Sequence, residues 1–140
     1  MHTLMGIKAL ALAQVLLLAS SISAAAPSLS ELDAQAREAL RTGQYQQTLA
    51  VTREITQVDP SSALNWYRMA IAAEKQRNFT LAAKALQTAE KLDPSLAFAS
   101  SAERVQTLRA LIEAGVSSQA QAGVAADTAA ASPLAREPAT

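Results

Sequence analysis

Proton transfer near neutral pH leans on histidine, and this 140-residue chain holds one, His2, at its extreme N-terminus. It has no cysteine, so it offers no thiolate nucleophile and no Cys/His set for zinc or another transition metal. The carboxylates that come closest to a catalytic grouping are Glu31 with Asp33 and Asp59 with Asp93. Glu31 and Asp33 fall at a helix start, and Asp59 and Asp93 each precede a proline, so they read as helix-start and turn residues, not as an acid/base couple. Neither Asp59 nor Asp93 has clustered oxygen ligands around it in sequence, which argues against a calcium loop. Gly43, Gly115 and Gly123 are scattered and form no phosphate cradle. Trp66 and Tyr45 have the right types to stack a ligand, yet both stand at helical spacing among apolar residues, where aromatics pack. This inventory predicts a protein without catalysis, metal or cofactor.

Charge narrows the partners. The chain carries 12 basic and 12 acidic residues, a formal charge of zero. Near the N-terminus, His2 and Lys8 precede a leucine- and alanine-rich run from Ala9 to Ala19, broken only by Gln14, and Ser20 to Ala26 is small and polar. That layout predicts a secretory signal peptide over 1–25, cut after Ala25 or after Ala24. The run is shorter than the roughly 20 apolar residues of a spanning helix, and an uncleaved anchor in the inner membrane is the alternative. No cysteine follows, which excludes a lipid-anchored lipoprotein. Cleavage would remove Lys8 and leave 11 basic against 12 acidic residues, a formal charge of −1. Near-neutrality predicts no nucleic-acid partner and no membrane surface after cleavage. The expected location is the periplasm or the exterior, and stability there has to come from packing, since disulfides are impossible.

Half the residues are apolar, enough to bury a core if they are distributed on faces. Between 28 and 114 they are. Ser28 with Glu31 forms a capping-box signal, after which Leu29, Leu32, Ala36, Ala39 and Leu40 recur at helical spacing until Gly43. Tyr45, Leu49 and Ile55, with Thr48 and Thr52 between, make a second stripe that stops at Asp59-Pro60, because proline disfavours the α conformation in the residue before it. Ser61 or Ser62 can cap the next helix, carrying Leu64, Trp66, Tyr67, Met69, Ala70 and Ala73. Arg77-Asn78 turns the chain. Phe79, Ala82, Ala83, Leu86 and Ala89 return it to Asp93-Pro94. A last helix is expected from Ser95, with Phe98, Ala102, Val105, Leu108 and Ile112 on one face and Gly115 as its stop. The tail at 115–140 lacks large apolar groups and is expected to be a disordered tether, with a short isolated helix over 119–131 as the alternative.

Asp59-Pro60 and Asp93-Pro94 lie 34 residues apart, as do Tyr45 and Phe79. A helical hairpin repeated at this period cannot bury its apolar face alone and has to stack on a neighbour. In their landmarks the units resemble the tetratricopeptide repeat. Trp66, the Met69-Ala70 pair, Phe79, Ala82, Leu86, Ala89 and Pro94 stand at that pattern's aromatic, apolar-small, aromatic, alanine, bulky, alanine and proline positions. Leu32, Ala36, Gly43, Tyr45 and Pro60 fit it in the first unit, whereas Gln35, Thr48 and Thr52 depart. The resemblance implies an all-α solenoid of antiparallel hairpins with about five helices: repeat 1 at 28–60, repeat 2 at 61–94 and a capping helix at 95–114.

It also implies a non-catalytic scaffold whose first helices line a concave protein-binding groove. By register the groove candidates are Arg37, Arg41, Leu64, Tyr67, Arg68, Ile71 and Lys75, with Asp33 beside them. Such cations next to Tyr67 could take a carboxylate or an extended acidic peptide, although Glu38 and Glu74 lie within a turn and can neutralise the same face. The lysine-asparagine clamp of chaperone-binding members is absent, with Asp33 and Arg37 at the positions concerned. Two units and one helix make a short stack, so the face of Val105, Leu108 and Ile112 is expected to be completed by a partner or by self-association. The alternative to an adaptor is a self-packing oligomerisation or stalk module of the cell envelope.

Overall fold

A computed structural model describes residues 25–131. Among the described residues it is all-helical: α1 (Leu29–Arg41), α2 (Tyr45–Val58), α3 (Ala63–Lys75), α4 (Phe79–Leu92) and α5 (Ala102–Ala131). The expected leader, with His2, and the last residues of the expected tail lie outside the described residues.

The first four helices begin and end for local reasons that repeat with the 34-residue period. At the start of α1, Ser28 and Glu31 close the capping box: the Glu31 amide donates to Ser28 Oγ at 3.2 Å and the Ser28 amide to Glu31 Oε2 at 2.7 Å. Its C-terminus is a Schellman turn. The Gln44 amide donates to the Ala39 carbonyl at 2.8 Å and the Gly43 amide to that of Leu40 at 3.2 Å, with Gly43 at φ 74°. One period later the same turn ends α3, through Asn78 to Ala73 and Arg77 to Glu74, both at 2.9 Å. Arg77 takes the left-handed position there at φ 59°, a conformation that costs a side-chain-bearing residue roughly 1–2 kcal/mol; its guanidinium lies 5.7 Å from the Phe79 ring centroid.

Asp59 and Asp93 also act alike. Each leaves its helix in extended backbone before proline, and each accepts from the amide and hydroxyl of the serine two residues on, at 3.1 and 2.5 Å. Both are therefore turn residues. The Ser61 bonds hold the Asp59 carboxyl below its ordinary range.

Consecutive helices pack in pairs, and α3 additionally touches α1 and α5, whereas the Cα atoms of α2 and α4 stay more than 8 Å apart. The three-residue connections at Thr42–Gln44 and Gln76–Asn78 fold α1/α2 and α3/α4 back as hairpins. The main core runs through α3, α4 and α5 and reaches α2 at Leu49, with Met69, Ala70, Ala73, Ala82, Leu86, Ala89, Val105 and Ile112 nearly inaccessible. A small satellite core, Leu32, Ala36, Val51 and Ile55, joins α1 to α2. Thr48 and Thr52, at apolar positions of the repeat pattern, are fully buried between them. Their hydroxyls donate back to the carbonyls of Gln44 at 3.0 Å and Thr48 at 2.7 Å, so burial leaves no unpaired polar atom.

The last unit departs from expectation in three respects. First, α5 opens at Ala102 and not at Ser95: Ser101 Oγ accepts from the Arg104 amide at 3.3 Å. Ser62 caps α3 and Ser101 caps α5, a spacing five residues longer than the period, and the extra residues form a loop in which Leu96 has φ 60°. Phe98 sits in that loop, its ring 5.0 Å from the Tyr67 ring. Second, Gly115 does not end the helix, and the segment expected to be disordered continues it to Ala131. A Cβ on Gly115 would lie 2.3 Å from Phe79 Cδ1, so this glycine marks a close approach of α5 to α4 inside an alanine-rich stretch of high helix propensity. Third, Val105, Leu108 and Ile112 are buried against α3 and α4 of the same chain. The face expected to be completed by a partner or by self-association is already covered by the chain itself.

Candidate functional site

The contact of α3 with α5 leaves an open cleft of about 440 Å³ between their exposed faces. Tyr67 and Ile71 of α3 and Leu108 and Leu111 of α5 supply apolar walls. They are placed there by the 3.6-residue turn, which sets residues three or four apart on one side of a helix. The charged rim is balanced: Glu74 and Lys75 come from α3, Glu103 and Arg104 from α5. Lys75 Nζ is 3.9 Å from Glu74, a loose pair of an exposed lysine and a largely covered carboxylate, and Arg104 makes no ion pair among the described residues. Phe98 packs on Tyr67, and burial raises the Tyr67 hydroxyl above its ordinary pKa near 10.0, with the charge of Arg104 opposing the shift.

The structure sorts the sequence-derived groove residues into three groups. Tyr67, Ile71 and Lys75 line the cleft together. Arg68 faces α1 instead: it is buried, donates to Asp33 Oδ1 at 2.5 Å and to Asn65 Oδ1 at 3.2 Å, and so ties α3 to α1. It is not a free cation, because leaving water requires a partner for its charge. Arg37, Arg41 and Leu64 are exposed outside the cleft, and Arg41 is held by Glu38 through two hydrogen bonds of 2.9 and 2.6 Å. That pairing lowers the Glu38 carboxyl and raises the Arg41 guanidinium.

Sequence reasoning missed the α5 side of the cleft, Arg104, Thr107 and Leu111. The signal was present in Ser100 and Ser101, whose position one turn before Glu103 and Arg104 marks a helix start, but Ser95 directly after proline offered a competing one. Chemically the cleft is a slot with apolar walls and alternating charges, suited to holding an extended segment by one or two side chains and edge hydrogen bonds. Among the described residues no three His, Cys, Asp or Glu side chains converge as a metal site would require, and no helix is long and apolar enough to cross a membrane. Compared with protein-family models, with curated proteins and with solved structures, the chain matches none of them.

Proposed function

We propose that this protein is a non-catalytic interaction scaffold of tetratricopeptide-repeat type that works outside the cytoplasm and seats an extended peptide segment of a partner protein between α3 and α5. The observation that carries this reading is the cleft itself: Tyr67, Ile71 and Leu111 present apolar surface beside Lys75 and Arg104. The repeated turn geometry at Gly43 and Arg77, and at Asp59 and Asp93, supports the repeat assignment. The leader's charged, apolar and small-residue zones support export.

A photoreactive residue placed at Leu111 in the full-length protein, expressed in its native cells, tests the site. Crosslinks from Leu111 to a second protein, absent when the same residue replaces exposed Arg37, are the expected outcome. Crosslinks only between copies of this chain would favour a self-packing stalk. Leu111→Asp should weaken capture at least about tenfold, because it puts a charge against apolar walls. Mass spectrometry of the same purified protein checks the leader: a chain starting at Ala25 or Ala26 is expected, and an intact Met1 would refute cleavage.

A further inference from the structure

On a face of α3 other than the one that lines the α3–α5 cleft, α2 and α4 leave a wedge. The Cα atoms of α2 and α4 nowhere come within 8 Å of each other, and the wedge between them has a volume of about 260 Å³. Trp66 and Met69 of α3 and Leu81 of α4 line it with apolar surface. The Trp66 indole N–H is already satisfied by the Pro60 carbonyl at 2.8 Å, so the ring has only apolar surface left to offer. Arg53 of α2 and Lys84 of α4 stand on opposite walls, and no carboxylate lines the space.

These two cations, like Arg104, lack the ion-pair partners that most cations near clefts have. Arg41 has Glu38 one turn away, Lys75 has Glu74 beside it, and Arg109 bonds Glu90. Arg53 and Lys84 have no acidic residue three or four positions away on their own helices; Glu54, next to Arg53 in sequence, does not line the wedge, and neither cation forms an ion pair among the described residues. Two unneutralised cations flanking an indole are complementary to an anion with an apolar body. The small volume matches one bulky side chain.

We infer that the α2–α4 wedge is a second binding site, one that takes an acidic peptide segment by a single bulky apolar side chain set against Trp66, with its carboxylates between Arg53 and Lys84. The site does not depend on the α3–α5 cleft being occupied. Trp66 is the sole tryptophan of the chain, so its fluorescence reads the site directly. The probe is a short end-blocked peptide carrying a leucine–phenylalanine pair flanked by glutamates, titrated into the full-length protein. A saturable change in Trp66 emission is expected, weakening as salt rises from about 50 to about 500 mM. Arg53→Gln with Lys84→Gln, both at exposed positions, should weaken it at least about tenfold, while Leu111→Asp leaves it unchanged. An equal response to the glutamine version of the peptide, wild-type binding by the double variant with unchanged circular dichroism, or saturation by laurate but not by the peptide would each overturn the assignment.

Discussion

Arg68 illustrates how burial decides what a charge is for. Its guanidinium is among the few charged groups taken out of water, and Asp33 is its counter-charge across the α1–α3 contact. Asp33→Ala would strand it with Asn65 alone. Because Asp33 is itself partly solvated, with a side-chain exposure of 40%, the expected loss is about 1.5–3 kcal/mol and not the larger cost of breaking a fully buried pair. Urea unfolding of Asp33→Ala, Arg68→Met and the double variant measures it, with the double variant more stable than Asp33→Ala. Tyr67 makes a pH prediction. Its hydroxyl is raised by burial, so the unfolded chain loses this proton first; the associated stability is intact below pH 10 and is lost as pH rises through the folded value. Tyr67→Phe should flatten stability against pH above about 10, while Tyr67 itself gives a falling curve.

On the scale of elements, α5 is positioned by one glycine and fails to use another. A methyl group on Gly115 would collide with the Phe79 ring, whereas one on Gly123 meets nothing within 4 Å. Intrinsic propensity favours alanine at both by roughly 1 kcal/mol. Gly123→Ala should therefore raise stability slightly or leave it unchanged, and Gly115→Ala should lower it by about 1–3 kcal/mol through overpacking. Thermal unfolding of the two variants side by side decides the matter, since equal behaviour would mean that α5 does not dock on Phe79. Near the middle of this helix the Gln119 side chain donates to the Arg77 carbonyl at 3.1 Å. Ending the chain after Gln121 should leave the melting temperature nearly unchanged, because residues 122–130 are exposed.

For the molecule as a whole, stability is unevenly spread. The α3–α4–α5 core is larger than the satellite core of Leu32, Ala36, Val51 and Ile55 that holds α1 to α2. Amide hydrogen exchange should accordingly protect α3 and α4 most and release α1 early, together with 121–131. Uniform protection from α1 to α4 would contradict this gradient. Association has a related signature. Val105→Asp should unfold the α5 contact, seen as lost helicity, instead of dissociating an oligomer, because Val105 is fully buried within one chain.

Much of this architecture is legible in the amino-acid order because its causes are local. Ser28 with Glu31, Gly43, Asp59-Pro60 and Asp93-Pro94 act within a few residues through hydrogen bonds and φ/ψ limits, and helical spacing needs no knowledge of what a face will meet. Tertiary contact settled what spacing could not. Gly115 has the same local signature as a helix stop, and only the Phe79 ring beside it shows why the helix continues. Arg68 and Arg37 look alike in sequence, yet only one finds an aspartate 35 residues away. Phe98 left the apolar stripe because a five-residue excess before α5 became a loop folded onto Tyr67. Order along a chain determines which conformations each segment prefers; which charges pair, which faces close and where gaps stay open depends on groups that meet only after folding.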